Sequence, residues 1–249
     1  MNLWLLLTFF ACSVGEQTLT GQVVDVWGNP VDNATVIVVG QSERPFTDVS
    51  GRFTMGRDAG DWRIKVGKEG YIPSFSQLNI SESTTDLPAV VLWPQPTSNG
   101  FYVLGEDRYL PLVAQPVTRK GNALKSLRGL TTLGERGLPG ERLNVLFHTD
   151  LRPDQVHRLE PRLSSLHYLD EAALPSALGT KVTVNLYVAE QEVSMSIETL
   201  PTRTDYLLTS DVLPTGAYAL STQGMLTDMS AEAFGALPNE LRVAWPFQR

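Results

Sequence analysis

The stretch from Gly21 to Tyr71 reads GQVVDVWGNPVDNATVIVV over 21–39, TDVSGRFTM over 47–55 and WRIKVGKEGY over 62–71. Apolar and polar residues alternate along it, and alternation puts every second side chain on one face of a strand. Val24 and Val26 share one face, and Val36 and Val38 share one in the next strand. Gly28-Asn29-Pro30 between them has turn chemistry, because glycine accepts positive φ and proline presets an extended exit. These two strands are expected to meet as a hairpin. Phe53 and Met55 fall on one side after the turn Asp48-Val49-Ser50-Gly51, and Trp62, Ile64 and Val66 fall on one side with Arg63 and Lys65 toward water. The expectation is a small β-sandwich.

The pattern Gly21-x-Val23-x-Asp25-x-x-Gly28-x-Pro30-Val31-x-x-Ala34-x-Val36-x-Val38, with Thr47-Asp48-x-x-Gly51-x-Phe53 and Val66-x-x-x-x-Gly70-Tyr71, resembles the carboxypeptidase regulatory-like domain. That family is a transthyretin-like sandwich of about seven strands. The resemblance covers roughly residues 18 to 93. It implies a non-catalytic module that serves as scaffold or interaction surface and carries no shared catalytic residues.

The first residues, MNLWLLLTFFA, form an apolar run ending at Cys12. The run is far below the ~20 residues a spanning helix needs, so residues 1–12 are expected to be an export signal. Phe9-Phe10-Ala11-Cys12 resembles a bacterial lipobox, although phenylalanine stands where leucine is usual and no Lys or Arg precedes the run. The resemblance implies cleavage before Cys12 and lipidation of its thiol. Cys12 is the one cysteine in the chain, so no intrachain disulfide can form. Each buried acyl CH₂ contributes ~0.8 kcal/mol, so several chains on one residue would anchor the protein firmly. Ser13 follows, without the aspartate that retains bacterial lipoproteins at the inner membrane, which favours the outer membrane. Residues 13–19 read as a tether.

A net charge of −7 with 19% charged residues argues against a nucleic-acid partner, which needs a concentrated basic face. Pro94 to Gly100 (PQPTSNG) cannot continue a central strand and reads as a linker between a sandwich over 20–93 and a second, mostly β domain over 101–249. The fold class expected is therefore all-β. In the second half, Phe101–Leu104 and Arg108–Val113 flank a turn at Gly105-Glu106-Asp107. Val182, Val184, Leu186 and Val188 alternate and are expected to turn at Ala189-Glu190-Gln191-Glu192 into Val193, Met195 and Ile197. Leu143, Val145 and Phe147, then Tyr206 and Leu208, Tyr218 and Leu220, and Leu241, Val243 and Trp245 supply further strands. Pro153–Leu159 and Ser230–Leu237 suggest brief helical turns, with Ser230 as an N-cap.

His148, Asp150, His157, Glu160, His167 and Asp170 are the residues that could form an enzyme site or gather around zinc. His157 and Glu160 have the H-x-x-E spacing of zinc carboxypeptidases, but no histidine lies beyond His167 to supply a third ligand. The other spacings lack the paired short-range form of metal motifs, and they read as residues of a connector. Arg119, Lys120, Lys125 and Arg128 form a local basic loop that could meet anionic head groups, against the plainer reading of a solvated loop. Gly134 to Glu141 lacks the Lys-Ser/Thr of a phosphate loop and reads as a turn. Asn33-Ala34-Thr35 and Asn79-Ile80-Ser81 fit a glycosylation tripeptide.

No catalytic, cofactor or metal residue is assigned. The expected function is a lipid-anchored, non-catalytic bacterial envelope protein that binds a protein or glycan, with Trp27, Trp93 and Tyr102 as candidate contacts. The alternative is an envelope enzyme with its site between His148 and Asp170.

Overall fold

The computed structural model describes residues 17–40, 42–57, 60–81, 86–122, 126–134, 137–175 and 181–249. Cys12, Lys125 and most of the 1–19 segment lie outside them. The chain splits into two compact units, Met1–Pro94 and Gln95–Arg249. Both are all-β.

In the first unit the strands are β1 (Gln17–Asp25), β2 (Thr35–Val38), β3 (Arg52–Arg57), β4 (Gly60–Gly67), β5 (Tyr71–Ile72), β6 (Ser74–Ile80) and β7 (Val90–Pro94). A four-stranded sheet in the order β3-β1-β7-β5 packs on a three-stranded sheet in the order β2-β4-β6. Leu19, Val23, Phe53 and Leu92 from one sheet meet Val36, Val38, Ile64 and Val66 from the other in a single core. Burial at about 1.5–3 kcal/mol for each such side chain holds the two sheets together without a disulfide. β1 begins at Gln17, and Leu19 is already in the core, so residues 17–19 belong to the sandwich.

The expected β1–β2 hairpin does not form. β1 pairs with β3 and β7, whereas β2 pairs with β4 in the opposite sheet. The reason lies in the turn, where Asp25 Oδ1 accepts the N–H groups of Trp27 and Asn29 at 2.9 Å each. Gly28 supplies φ +84°. The chain folds back for one bridge, Val24 to Pro30, then crosses over the core edge through Val31 and Ala34, both buried. Thr47 Oγ1 holds the crossing, donating to Val31 O at 2.6 Å and accepting from Ala34 N–H at 2.8 Å. The core side of β1 is therefore that of Val23, fully buried, and not that of Val24 and Val26. Gly51 has φ +73°, and a Cβ there would sit 2.4 Å from Val23 O, so only glycine fits.

In the second unit the strands are β8 (Gly100–Leu104), β9 (Tyr109–Pro111), β10 (Gln115–Gly121), β11 (Ser126–Leu130), β12 (Arg142–His148), β13 (Arg162–Pro175), β14 (Lys181–Val193), β15 (Met195–Thr199), β16 (Asp205–Val212), β17 (Ala217–Ser221) and β18 (Val243–Gln248). Two short helices, α1 (Pro153–Leu159) and α2 (Ala231–Ala236), interrupt them, and Ser230 Oγ caps the second by accepting Ala233 N–H at 3.0 Å. A five-stranded sheet in the order β15-β16-β12-β8-β9 packs on a closed barrel in the order β10-β11-β14-β13-β17-β18. Phe101, Val145, Tyr206 and Leu208 of the sheet meet Leu163, Tyr218, Leu220 and Phe247 of the barrel. β17 is buried on both faces, because Ala219 between Tyr218 and Leu220 joins a separate core with Val117, Leu130 and Phe234.

Two further expectations change. β14 does not turn at 189–192. Glu190 bulges out opposite the Ser165–Leu166 step and the strand runs on to Val193, paired along its length with β13. The chain then switches sheets at Ser194, and β15 pairs with β16. Leu241 is not a strand residue: it lies in a 3-10 turn, Asn239–Leu241, and is 57% exposed. The turn at Gly105 joins β8 and β9 as an antiparallel hairpin, with Gly105 N–H on Arg108 O at 2.9 Å.

Candidate functional site

Phe101 on β8 and Phe147 on β12 are register partners, which sets their rings side by side, stacked with centroids 4.3 Å apart. Trp245 on β18 meets Phe101 edge-on at 4.6 Å. These rings form one wall of a cavity of about 510 Å³ within the second unit. Leu151 and Leu159, at the two ends of α1, and Met225, Leu237 and Val243 close it with aliphatic and thioether groups. Asn99, Thr222 and Gln223 bring the polar atoms.

The local sequence explains the shape. Gly100 adopts φ +156°, still within the range that suits glycine, as the chain enters β8. On the far side the segment after β17 turns tightly, with Gln223 at φ +53° and its N–H on Leu159 O at 2.8 Å. That bond fastens the turn to the end of α1. Arg242 Nη2 donates to Gly235 O and Leu237 O at 2.9 and 2.6 Å and lies over the Phe234 ring, which fixes the α2 segment behind the cavity.

None of the lining residues is ionisable. The volume and the largely apolar lining are those of a ligand pocket, with a few polar groups to orient what enters. Such a site recognises shape and apolar surface. It has no acid–base pair or metal-ligand set in its wall.

The residues considered for an enzyme site are scattered. His148 Nδ1 and Asp205 Oδ1 are 2.7 Å apart. Asp205 is fully buried, and its Oδ2 also accepts from Gln95, Thr202 and Thr204 at 3.1, 2.6 and 3.1 Å. This network ties the start of the second unit to β12 and β16. Asp150 is held by Asn99 Nδ2 at 2.9 Å, Glu160 by Arg162 at 3.1 Å, and His167 and Asp170 are exposed on β13. Among the described residues no three His, Cys, Asp or Glu side chains gather as a metal site. The basic residues differ from a solvated loop: Arg119 bonds Ser126 Oγ and Asn122 O at 3.1 Å each, and Arg128 bonds Thr227 O at 2.9 Å and lies over Phe234. Burial pushes the Arg128 guanidinium below its usual range.

Trp27, Trp93 and Tyr102, the expected contacts, are each partly buried on different elements; Tyr102 Oη donates to Ser98 O at 2.7 Å. The cavity residues Phe101, Phe147 and Trp245 were each readable as strand residues, but nothing in their spacing signals that three distant strands bring them together.

No protein-family model and no curated protein sequence matches the chain. Among solved structures, the major pilin subunit of Bacillus cereus is 12% identical with a TM-score of 0.30, over 94% of this chain and 67% of the pilin. A DUF3823 family protein from Parabacteroides merdae is 10% identical with a TM-score of 0.23, over 84% of this chain and 92% of that one. A type II cohesin–X-dockerin complex from Acetivibrio cellulolyticus matches 31% of this chain at 19% identity and a TM-score of 0.28, and the match spans 58% of that chain. At these scores the likenesses carry no functional argument.

Proposed function

We propose that this chain is a non-catalytic binding protein of a bacterial envelope, whose second unit takes a large apolar side chain of a partner protein into the cavity walled by Phe101, Phe147 and Trp245. The observation that carries the reading is that cavity: about 510 Å³, aromatic on one side, with no ionisable side chain in its lining. A sugar needs several directed hydrogen bonds, and Asn99 is already engaged with Asp150, so the lining favours a protein group over a glycan. The first unit serves as the spacer, and its two sheets of four and three strands support assignment to the carboxypeptidase regulatory-like family. Lipidation at Cys12 and an outer-membrane address complete the reading.

The test titrates the purified protein with N-acetyl-tryptophanamide and, separately, with methyl glucoside. The amide saturates a single site and Trp245→Ala weakens it by about tenfold or more, while the glucoside leaves the site unperturbed. Saturable glucoside binding lost in the same variant would replace the protein partner with a glycan. The anchor is tested apart, by labelling with a fatty-acid analogue: Cys12→Ala abolishes the label if the address is right.

A further inference from the structure

The five-stranded sheet of the second unit has two edges that differ. β9 is three residues long and ends in Pro111, which has no N–H to offer a neighbour. β15 carries no proline. Leu200 N–H bonds Asp205 O at 2.9 Å, which fixes the antiparallel alternation along the β15–β16 pair. Glu198 and Ser196 therefore turn their main-chain groups toward β16, and Met195, Ile197 and Thr199 turn theirs away from it. Outside the strand ladders no hydrogen bond to the main chain of Ile197 or Thr199 exists among the described residues, and the only ladder β15 joins is that with β16.

The same residues present their side chains to the core side of the sheet, where Ile197 and Thr199 pair with Leu208 and Tyr206. The barrel covers that side over β16 but leaves it largely open at β15, where only Met195 packs against the core. Ile197 is 43% exposed and lies over a depression of about 390 Å³ shared with Val156 and His157 of α1. A second depression, of about 430 Å³, continues past Pro161 to Met195, Leu163 and Val193. Together they make a trough, apolar around Val156, Ile197 and Tyr206 and more polar around Arg162, Glu192 and Ser194, beside a row of unpaired main-chain groups. Its charge is one-sided. Glu160 and Glu192 share one cation, Arg162, at 3.1 and 3.6 Å, which also serves Asp228, and Glu198 on the outer face of β15 has no ion pair among the described residues. Asp154 on α1 is offset by Arg152 and Arg158.

We infer that β15 is a docking edge for an extended segment of a partner protein, apolar at alternate positions and flanked by Lys or Arg, which adds as a sixth strand and lays its apolar side chains in the trough. Main-chain hydrogen bonds supply the attachment, and the trough selects the alternate side chains. The excess of carboxylates selects the flanking charge. This site is separate from the aromatic-walled cavity, and neither depends on the other.

The test uses the whole protein and the peptide Lys-Val-Thr-Val-Thr-Val-Lys. The peptide binds saturably and protects the Ile197 and Thr199 amides from hydrogen exchange. N-methylation of one alternate set of residues weakens binding by about tenfold or more, and of the other set by less than about threefold, because one set of N–H groups faces the edge. Replacing both lysines by glutamate costs about tenfold or more at low salt. Ile197→Pro, whose lost N–H points away from β16, abolishes binding while the melting midpoint holds. Absence of binding, or equal binding by both methylated sets, overturns the inference whatever the fate of the proline variant. A self-dimer dissolved by Ile197→Pro overturns it in favour of a second copy of this chain.

Discussion

The two units solve the same problem, a core without cystines, by different means. In the first, the turns at Asp25 and Asp48 are fixed by residues inside them. Asp48 Oδ1 accepts Ser50 N–H and Arg52 N–H at 2.8 and 2.9 Å, Asp25 does the same for Trp27 and Asn29, and Gly28 and Gly51 take the positive φ the turns require. In the second, the fixing groups come from far along the chain. Asp205 is met by His148 and Gln95, and the barrel closes only when β10 pairs with β18. Local turns give a unit whose shape is written in short stretches. Distant closure brings side chains from several strands to one place, which is what a binding cavity requires.

The largest effect expected from breaking this contrast is at Asp205. Asp205→Ala leaves the half-buried polar groups of His148, Thr202, Thr204 and Gln95 without their shared acceptor, and it is expected to destabilise the second unit by about 3–5 kcal/mol. Native-state amide exchange checks it: protection collapses at Val145 and Leu208 and stays intact at Val36 and Ile64. Equal loss in both units would mean that they do not unfold separately.

Next comes the first unit's own weak point. Gly51→Ala must strain a backbone at φ +73° and drive a methyl to 2.4 Å from Val23 O, so about 2–4 kcal/mol is expected. Gly28→Ala keeps φ +84° but meets nothing within 4 Å, so it should cost about 1 kcal/mol. Denaturant melts of the two variants measure the difference between strain with a clash and strain alone.

The smallest effect is in acid. Asp48 and Asp228 both have carboxyls held below the usual range, Asp48 chiefly by the Ser50 side chain and then by the Arg52 backbone N–H, and Asp228 chiefly by the Arg162 guanidinium. A lowered carboxyl contributes stability that is present above its ordinary pKa and is lost as pH falls through the folded value. Stability should therefore hold as pH falls to about 4 and decline below it. Salt separates the causes. Raising ionic strength should move the Asp228 value back toward the ordinary range and leave Asp48 nearly unchanged, read from side-chain carboxyl resonances.

The same contrast explains how far the sequence could be read. The sandwich was legible because its turn chemistry is local: Asp25 to Pro30 and Asp48 to Phe53 carry their own instructions. What could not be read was which strands would pair, since the turn at Gly28 serves a crossing between sheets as well as a hairpin. In the second unit the alternation of Leu143, Val145 and Phe147 and of Tyr206 and Leu208 named core residues correctly. It misplaced the turn at 189–192, because Glu190, Gln191 and Glu192 look like a loop and a single bulge absorbs them into β14. The cavity itself was illegible. Phe101, Phe147 and Trp245 are separated by most of the unit, and only barrel closure brings Trp245 to the other two.

Whether the cavity is the binding site is tested most directly by methyl spectra of the leucine- and valine-labelled protein during titration with indole. Saturable shifts at Leu151, Leu159, Leu237 and Val243, with Val36 and Val66 unmoved and all shifts abolished in Trp245→Ala, are the predicted result. Shifts spread evenly over both units, or none at those four residues, would contradict it.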